Sequence, residues 1–204
     1  MALLESEIPP PRSLLLPVLP LRDVCLFPEA SLTLNVMRPA SIRALDVAAR
    51  TGNRLLALTQ KDPTVEGGSM HGVGTVALLT EDQPEGDDVR KVELDGHRRA
   101  RVVSLLGADT LVAEVELLDE GDPGDEWGAA VEALARYMHA HADLRAFLDE
   151  QRRSKEPMAW VNLACQHLPI TASARQKLLD SDAADRCLKI GRGLDALLRK
   201  EQAS

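Results

Sequence analysis

Aromatic residues are nearly absent from the chain: two Trp, one Tyr and two Phe in 204 residues. So few rings leave little for stacking nucleobases, a main contact to single-stranded nucleic acid. Positive charge is also in deficit. Lys and Arg number 24 against 32 Asp and Glu, for a net charge of −8. A surface of that sign repels phosphate backbones and disfavours nucleic acid as a partner. Cysteine is scarce. Cys25, Cys165 and Cys187 lie far apart and form no CxxC pair. They read as reduced core thiols, not as a disulfide framework or zinc site. No apolar run approaches the ~18 residues of a membrane helix. The start, MALLESEIPPPRS, has two glutamates before any arginine and no long apolar core. It does not read as a secretory signal, so a cytoplasmic protein without membrane contact is expected.

Assembled chemistry is missing too. Gly72-Val73-Gly74-Thr75-Val76-Ala77 has the GxGxxA spacing of a dinucleotide loop. That loop must follow a strand and open a helix. Here a polar loop precedes it, and only residues 78–82 separate it from Gln83-Pro84-Glu85-Gly86. The glycines read as the entry to a strand. Gly67-Gly68-Ser69-Met70-His71-Gly72 has P-loop glycine spacing but continues Val73-Gly74, not Lys then Ser or Thr. Without that lysine the β/γ-phosphates lack a counter-charge. His139 and His141 are two apart on a predicted helix and diverge, as do Cys165 and His167. His71 and His97 have no partners at ligand spacing. No metal, cofactor or catalytic residue is assigned, and the chain is expected not to be an enzyme.

Two basic clusters stand out. His97-Arg98-Arg99-Ala100-Arg101 follows Asp95-Gly96, a dipeptide that predicts a hairpin turn. Arg152-Arg153-Ser154-Lys155 falls at a predicted helix end. Both read as solvated charge, at a strand edge and at a helix C-terminus.

The remaining pattern is strands first, helices after. Residues 1–13, with Pro9-Pro10-Pro11, read as a loose tail. Strands are predicted over residues 14–19, 31–37, 55–58, 72–80, 89–95, 99–106 and 111–118, from apolar alternation or short buried runs. Pro20 and Pro28 bracket a kinked connection between the first two. Pro39 suits the first turn of a helix over residues 39–50, with Gly52 placed to end it. At residues 119–125 the period changes. Beyond this turn-rich DEGDPGD linker every segment is helical. Trp127, Val131, Leu134, Met138 and His141 form one stripe. Leu144, Phe147 and Leu148 form a second. A third helix opens at Pro157 with Met158, Val161 and Cys165, and Pro169 stops it. A short helix follows, and then a last one from Ala183 turns Cys187, Ile190, Leu194 and Leu197 inward. The order argues for an α+β protein with two subdomains, residues 14–119 and 120–204.

Five blocks, in this order, carry a resemblance: LPVLPLRDVCLFPEASLTLNV, SIRALDVAA, LLALTQKD, GVGTVA and VELDGHRRARVVSL. Together they resemble the N-terminal, substrate-binding domain of Lon proteases. A looser likeness continues through QHLPITASARQKLLDSDAADRCLKI. The resemblance implies a β-rich pseudo-barrel of PUA-like type with one helix, followed by a C-terminal helical bundle. It implies a stand-alone domain without the family's ATPase and Ser–Lys protease modules. It also implies a module that binds unfolded or partner polypeptide, or one that modulates a full-length Lon protease. An alternative is a PUA-like protein that binds a small ligand or RNA, supported by the Arg98–Arg101 charges alone. The candidate polypeptide-binding surface is Met37, Arg38 and Arg43, beside the opening helix. The sequence departs from the family at Glu29, where Gly or His is common, at Pro39-Ala40 and in the loop over residues 83–88. Arg22-Asp23 reads as a structural ion pair or turn element.

Overall fold

Two prolines decide how the first strand pairs. In the computed structural model, which describes residues 13–65, 67–86, 88–107, 109–141, 145 and 157–202, β1 spans Ser13–Leu21. Its residues 13–17 run antiparallel to β6 (Val112–Leu117), and residues 18–21 run parallel to β3 (Arg54–Thr59). A proline offers no N–H to a ladder. Pro17 sits where the partner changes. Pro20 pairs with Leu58, and its carbonyl accepts from Arg38 Nη2 at 2.8 Å. The strand therefore continues two residues past the predicted end.

β2 (Ser31–Val36) leads into α1 (Pro39–Arg50), which has proline in its first turn and buries Ala44, Leu45 and Ala48. The helix ends where Gly52 and Asn53 take positive φ, 82° and 59°. In β3, Leu55 and Ala57 join one core while Leu56 and Leu58 join another. Burial on both faces is why that strand reads as an unbroken apolar run.

β4 (Val73–Pro84) pairs antiparallel with both β3 and β5 (Arg90–Leu106). The sheet is mixed, six-stranded, and ordered β2-β5-β4-β3-β1-β6, with β6 also pairing to β5. β1, β3, β4, β5 and β6 thus close a ring. Leu16, Val18, Leu56, Leu58, Val76, Ala100, Ala113 and Val115 fill it. β2 lies outside the ring, on the first half of β5.

The Asp95-Gly96 turn does not form. β5 runs straight through it as one 17-residue strand. The glycine answers a tertiary demand instead: a Cβ there would meet the Phe27 carbonyl oxygen at 2.2 Å. Gly96 N donates to Ala30 O, and Glu29 N donates to Gly96 O, each at 2.8 Å. Opposite Val76-Ala77 the register jumps from Arg98 to Gly96, so His97 is the extra residue of a bulge.

Four further helices follow among the described residues: α2 (Glu126–Ala140), α3 (Pro157–His167), α4 (Ala172–Asp180) and α5 (Ala183–Gln202). Thr171 caps α4, its side chain accepting from Ala174 N. α2 buries Ala130, Ala133, Leu134, Tyr137 and Met138 and packs along α5. α5 buries Ala183, Cys187, Ile190 and Leu194. The predicted 1–12 part of the tail, the Leu144-Phe147-Leu148 stripe and the Arg152–Lys155 cluster lie outside the described residues.

One buried cluster runs from Leu19 and Leu94 in the strands to Leu134 and Leu194 in the helices. Polar clamps cross the same boundary. Gln166 accepts from Phe27 N and donates to Cys25 O, both at 3.0 Å. Gln176 Nε2 donates to Val73 O at 2.9 Å. Arg99, expected in solvent, is only 2% exposed. It donates to Leu179 O, Ser181 O, Asp119 O and Glu120. Arg186, also buried, donates to Glu120, Asn162, Leu178 O and Ser181 O. Burial lowers the affinity of Arg99 for its proton, and neighbouring Arg186 adds to this. A polar residue at a buried helical position, as Arg186 is beside Cys187 and Ile190, was a readable sign of such a tie.

Candidate functional site

The sheet leaves a seam between β1 and β2 among the described residues. β2 pairs only with β5, and residues 18–21 of β1 pair only with β3, so the facing edges of β1 and β2 have no strand between them among the described residues. A cavity of about 250 Å³ follows that seam, lined on one side by Leu19–Arg22 and Val24 and on the other by residues 34–38 and Ser41. The walls are mostly apolar: Leu19, Leu21, Val24, Leu34, Val36 and Met37. Met37 is the most open of them, 63% exposed. Isolated exposed methionines need no explanation, but one at the mouth of an apolar groove supplies an adaptable contact for varied side chains.

The charged groups of the seam are two arginines sharing one amide. Gln60 Oε1 accepts from Arg22 Nε at 3.1 Å and from Arg38 Nη1 at 3.3 Å. Arg38 also holds the Pro20 carbonyl, which ties β1 to the start of α1. Arg22 forms no ion pair with Asp23 among the described residues. The dipeptide acts as a turn, with Asp23 at φ 54°.

Of the three residues named from sequence, Met37 and Arg38 meet at this groove. Arg43 does not line it: its Nε and Nη2 donate to the Asp109 carbonyl at 3.1 and 2.6 Å. Arg22, Pro20 and Gln60 join the site without having been singled out for it. Only Arg22 carried a signal, its charge beside a proline in an apolar stretch. Among the described residues no group of three or more His, Cys, Asp or Glu could hold a metal ion. No helix there is long and apolar enough to cross a membrane.

The family model described as the ATP-dependent protease La (LON) substrate-binding domain matches residues 15–195, and the chain belongs to that family. Lon protease 2 of Desulfotalea psychrophila is 31% identical over 174 residues, 80% of this chain and 22% of that protein. Lon protease 1 of Thermus thermophilus is 31% identical over 196 residues, 90% of this chain and 24% of that protein. The chain therefore spans about a quarter of the length of these relatives. Among solved structures, the N-terminal domain of the Mycobacterium avium complex Lon protease superposes with a TM-score of 0.75 at 18% identity. That match covers 89% of this chain and 98% of that one. A Lon N-terminal domain protein from Xanthomonas campestris gives 0.61 at 22% identity, covering 86% and 95%. At these identities the structures speak for the fold alone.

Proposed function

We propose that this chain is a non-enzymatic polypeptide-recognition module of the cytoplasm, and that it takes extended, unfolded segments along the open edge of β2. The observation that carries the reading is the β1–β2 seam, where the edge of β2 away from β5 meets no strand among the described residues, beside an exposed Met37. An extended segment laid on such an edge gains main-chain hydrogen bonds that do not depend on its sequence. Alternate side chains then enter the groove. Leu34, Val36 and Met37 favour apolar side chains, and Arg22 and Arg38 favour an acidic group close by. Family membership supports the same role. The closed ring supports the PUA-like description, and the strand and helix halves, residues 14–119 and 120–204, are its two parts.

A photo-cross-linker at position 37 tests this against one at position 43, with a reduced and alkylated, permanently unfolded protein as bait. Position 37 should label the unfolded bait and spare its native form, while position 43 labels neither. Equal labelling from both positions, or none, overturns the reading. The related idea, that the chain modulates a full-length Lon protease, predicts a changed degradation rate when it is added. An unchanged rate across substrates removes it. The RNA alternative loses Arg99 to the interior, and no other observation favours it.

A further inference from the structure

A second cavity, also of about 250 Å³, opens where the apolar interior of the strand ring reaches the surface. Its floor is Leu14, Val76, Ala77, Leu78 and Leu117, and its rim is Arg54, His97 and Arg98. The bulge builds this rim. Consecutive residues of a regular strand face opposite sides. Here His97 and Arg98 both border this cavity, with His97 the extra residue of β5 opposite Val76-Ala77, and His97 also borders a neighbouring cavity beside Glu29 and Glu120. Arg54 arrives from the neighbouring strand, paired with Leu78. Neither the Arg54 guanidinium nor the His97 ring has a hydrogen-bond or ion-pair partner among the described residues. Arg98 pairs through Nη2 with exposed Asp119. In a chain of net charge −8, this gathers cationic and N–H donor groups around an apolar hole.

We infer that this cavity binds a carboxylate carried on a compact apolar body, its hydrocarbon against Leu14, Val76 and Leu117 and its carboxylate between Arg54, His97 and Arg98. A guanidinium matches a planar carboxylate with two parallel N–H donors. The apolar floor selects against small hydrated anions, which would leave it unfilled. The volume falls below the ~300–1,000 Å³ of drug-sized pockets, so one side chain or a short alkyl chain is the right scale. Two sources offer that chemistry: a free medium-chain carboxylic acid, and the last residue of a polypeptide ending in an apolar side chain. This site is separate from the β1–β2 seam and does not depend on the reading given to it.

Methyl NMR of the full chain tests it, with octanoate, a heptapeptide ending in leucine acid, and the same peptide as the C-terminal amide. The acid forms should shift the methyls of Leu14, Val76, Leu78 and Leu117, and the amide should bind at least about tenfold more weakly. Arg54→Gln, at an exposed site, should weaken the acids by about tenfold without changing the melting temperature. Binding of octanoate alone assigns the site to free acids. Binding of the peptide acid alone assigns it to chain termini. No methyl shift with either acid, equal binding of acid and amide, or an Arg54→Gln variant that binds as well as the parent each overturns the inference.

Discussion

Arg99 and Arg186, from β5 and α5, donate to opposite oxygens of one carboxylate. Arg99 Nε reaches Glu120 Oε1 at 2.9 Å, and Arg186 Nη1 reaches Oε2 at 2.8 Å. Their side chains are 3% and 0% exposed, and that of Glu120 is 25% exposed. Removing one member of a buried ion pair leaves an uncompensated charge, at about 3–5 kcal/mol. With Glu120 partly wetted, Glu120→Gln should cost about 2–4 kcal/mol, read as a lower midpoint in urea unfolding. A loss under about 0.5 kcal/mol would mean the two arginines are held by carbonyls alone.

Glu29 is exposed and sits at φ 64°, the left-handed region, and among the described residues only its backbone N–H is engaged, by Gly96 O. The family resemblance implies that Gly or His is common at this place, and the positive φ accounts for the glycine. Relief of about 1–2 kcal/mol of strain, less the extra chain entropy of glycine, predicts that Glu29→Gly stabilises by up to about 1 kcal/mol. Thermal unfolding of the two proteins decides it; a lower melting temperature for the glycine variant contradicts it.

All three thiols are buried. Burial pushes Cys165 up to about 12 and Cys187 up to about 11, and raises Cys25 as well. The thiolate is the reactive form. At pH 8 a disulfide reagent should therefore titrate no thiol in the native protein and three in denaturant. Rapid reaction of any one in the native state contradicts this burial.

Burial holds His71 and His167 below the ordinary 6.5, with Arg175 also disfavouring the charged form of His167. The unfolded chain therefore takes up protons at 6.5 that the native chain refuses. Stability from these groups is complete above 6.5 and is lost as pH falls through their native values. Urea midpoints at pH 7.5, 6.5 and 5.5 should decline, and replacing both histidines with glutamine should flatten the slope. A midpoint that rises on acidification over that range contradicts it.

Legibility in the sequence followed the range of the forces. β3, α1 and α5 announce themselves because burial on two faces, or on one helical stripe, leaves a local period in Leu55-Leu56-Ala57-Leu58 or in Ala183, Cys187 and Ile190. Asp95-Gly96 misleads because the same dipeptide serves a turn or a close backbone approach, and only Phe27, 69 residues earlier, decides which. The His97–Arg101 cluster likewise divides by tertiary position: Arg99 goes to the interior, Arg98 borders the cavity at Arg54, and His97 lies between that cavity and the one at Glu29 and Glu120. At the seam, Met37 and Arg38 were readable from their place before α1. The route of Arg43 was not, since it depends on the Asp109 carbonyl in a distant loop.

Amide hydrogen exchange, with and without a permanently unfolded polypeptide, reads occupancy of the seam segment by segment. Exchange should slow over residues 31–38 and 19–22, the two sides of the seam, with α2 and α5 unchanged. Protection confined to the helices, or absent at saturating polypeptide, would contradict it.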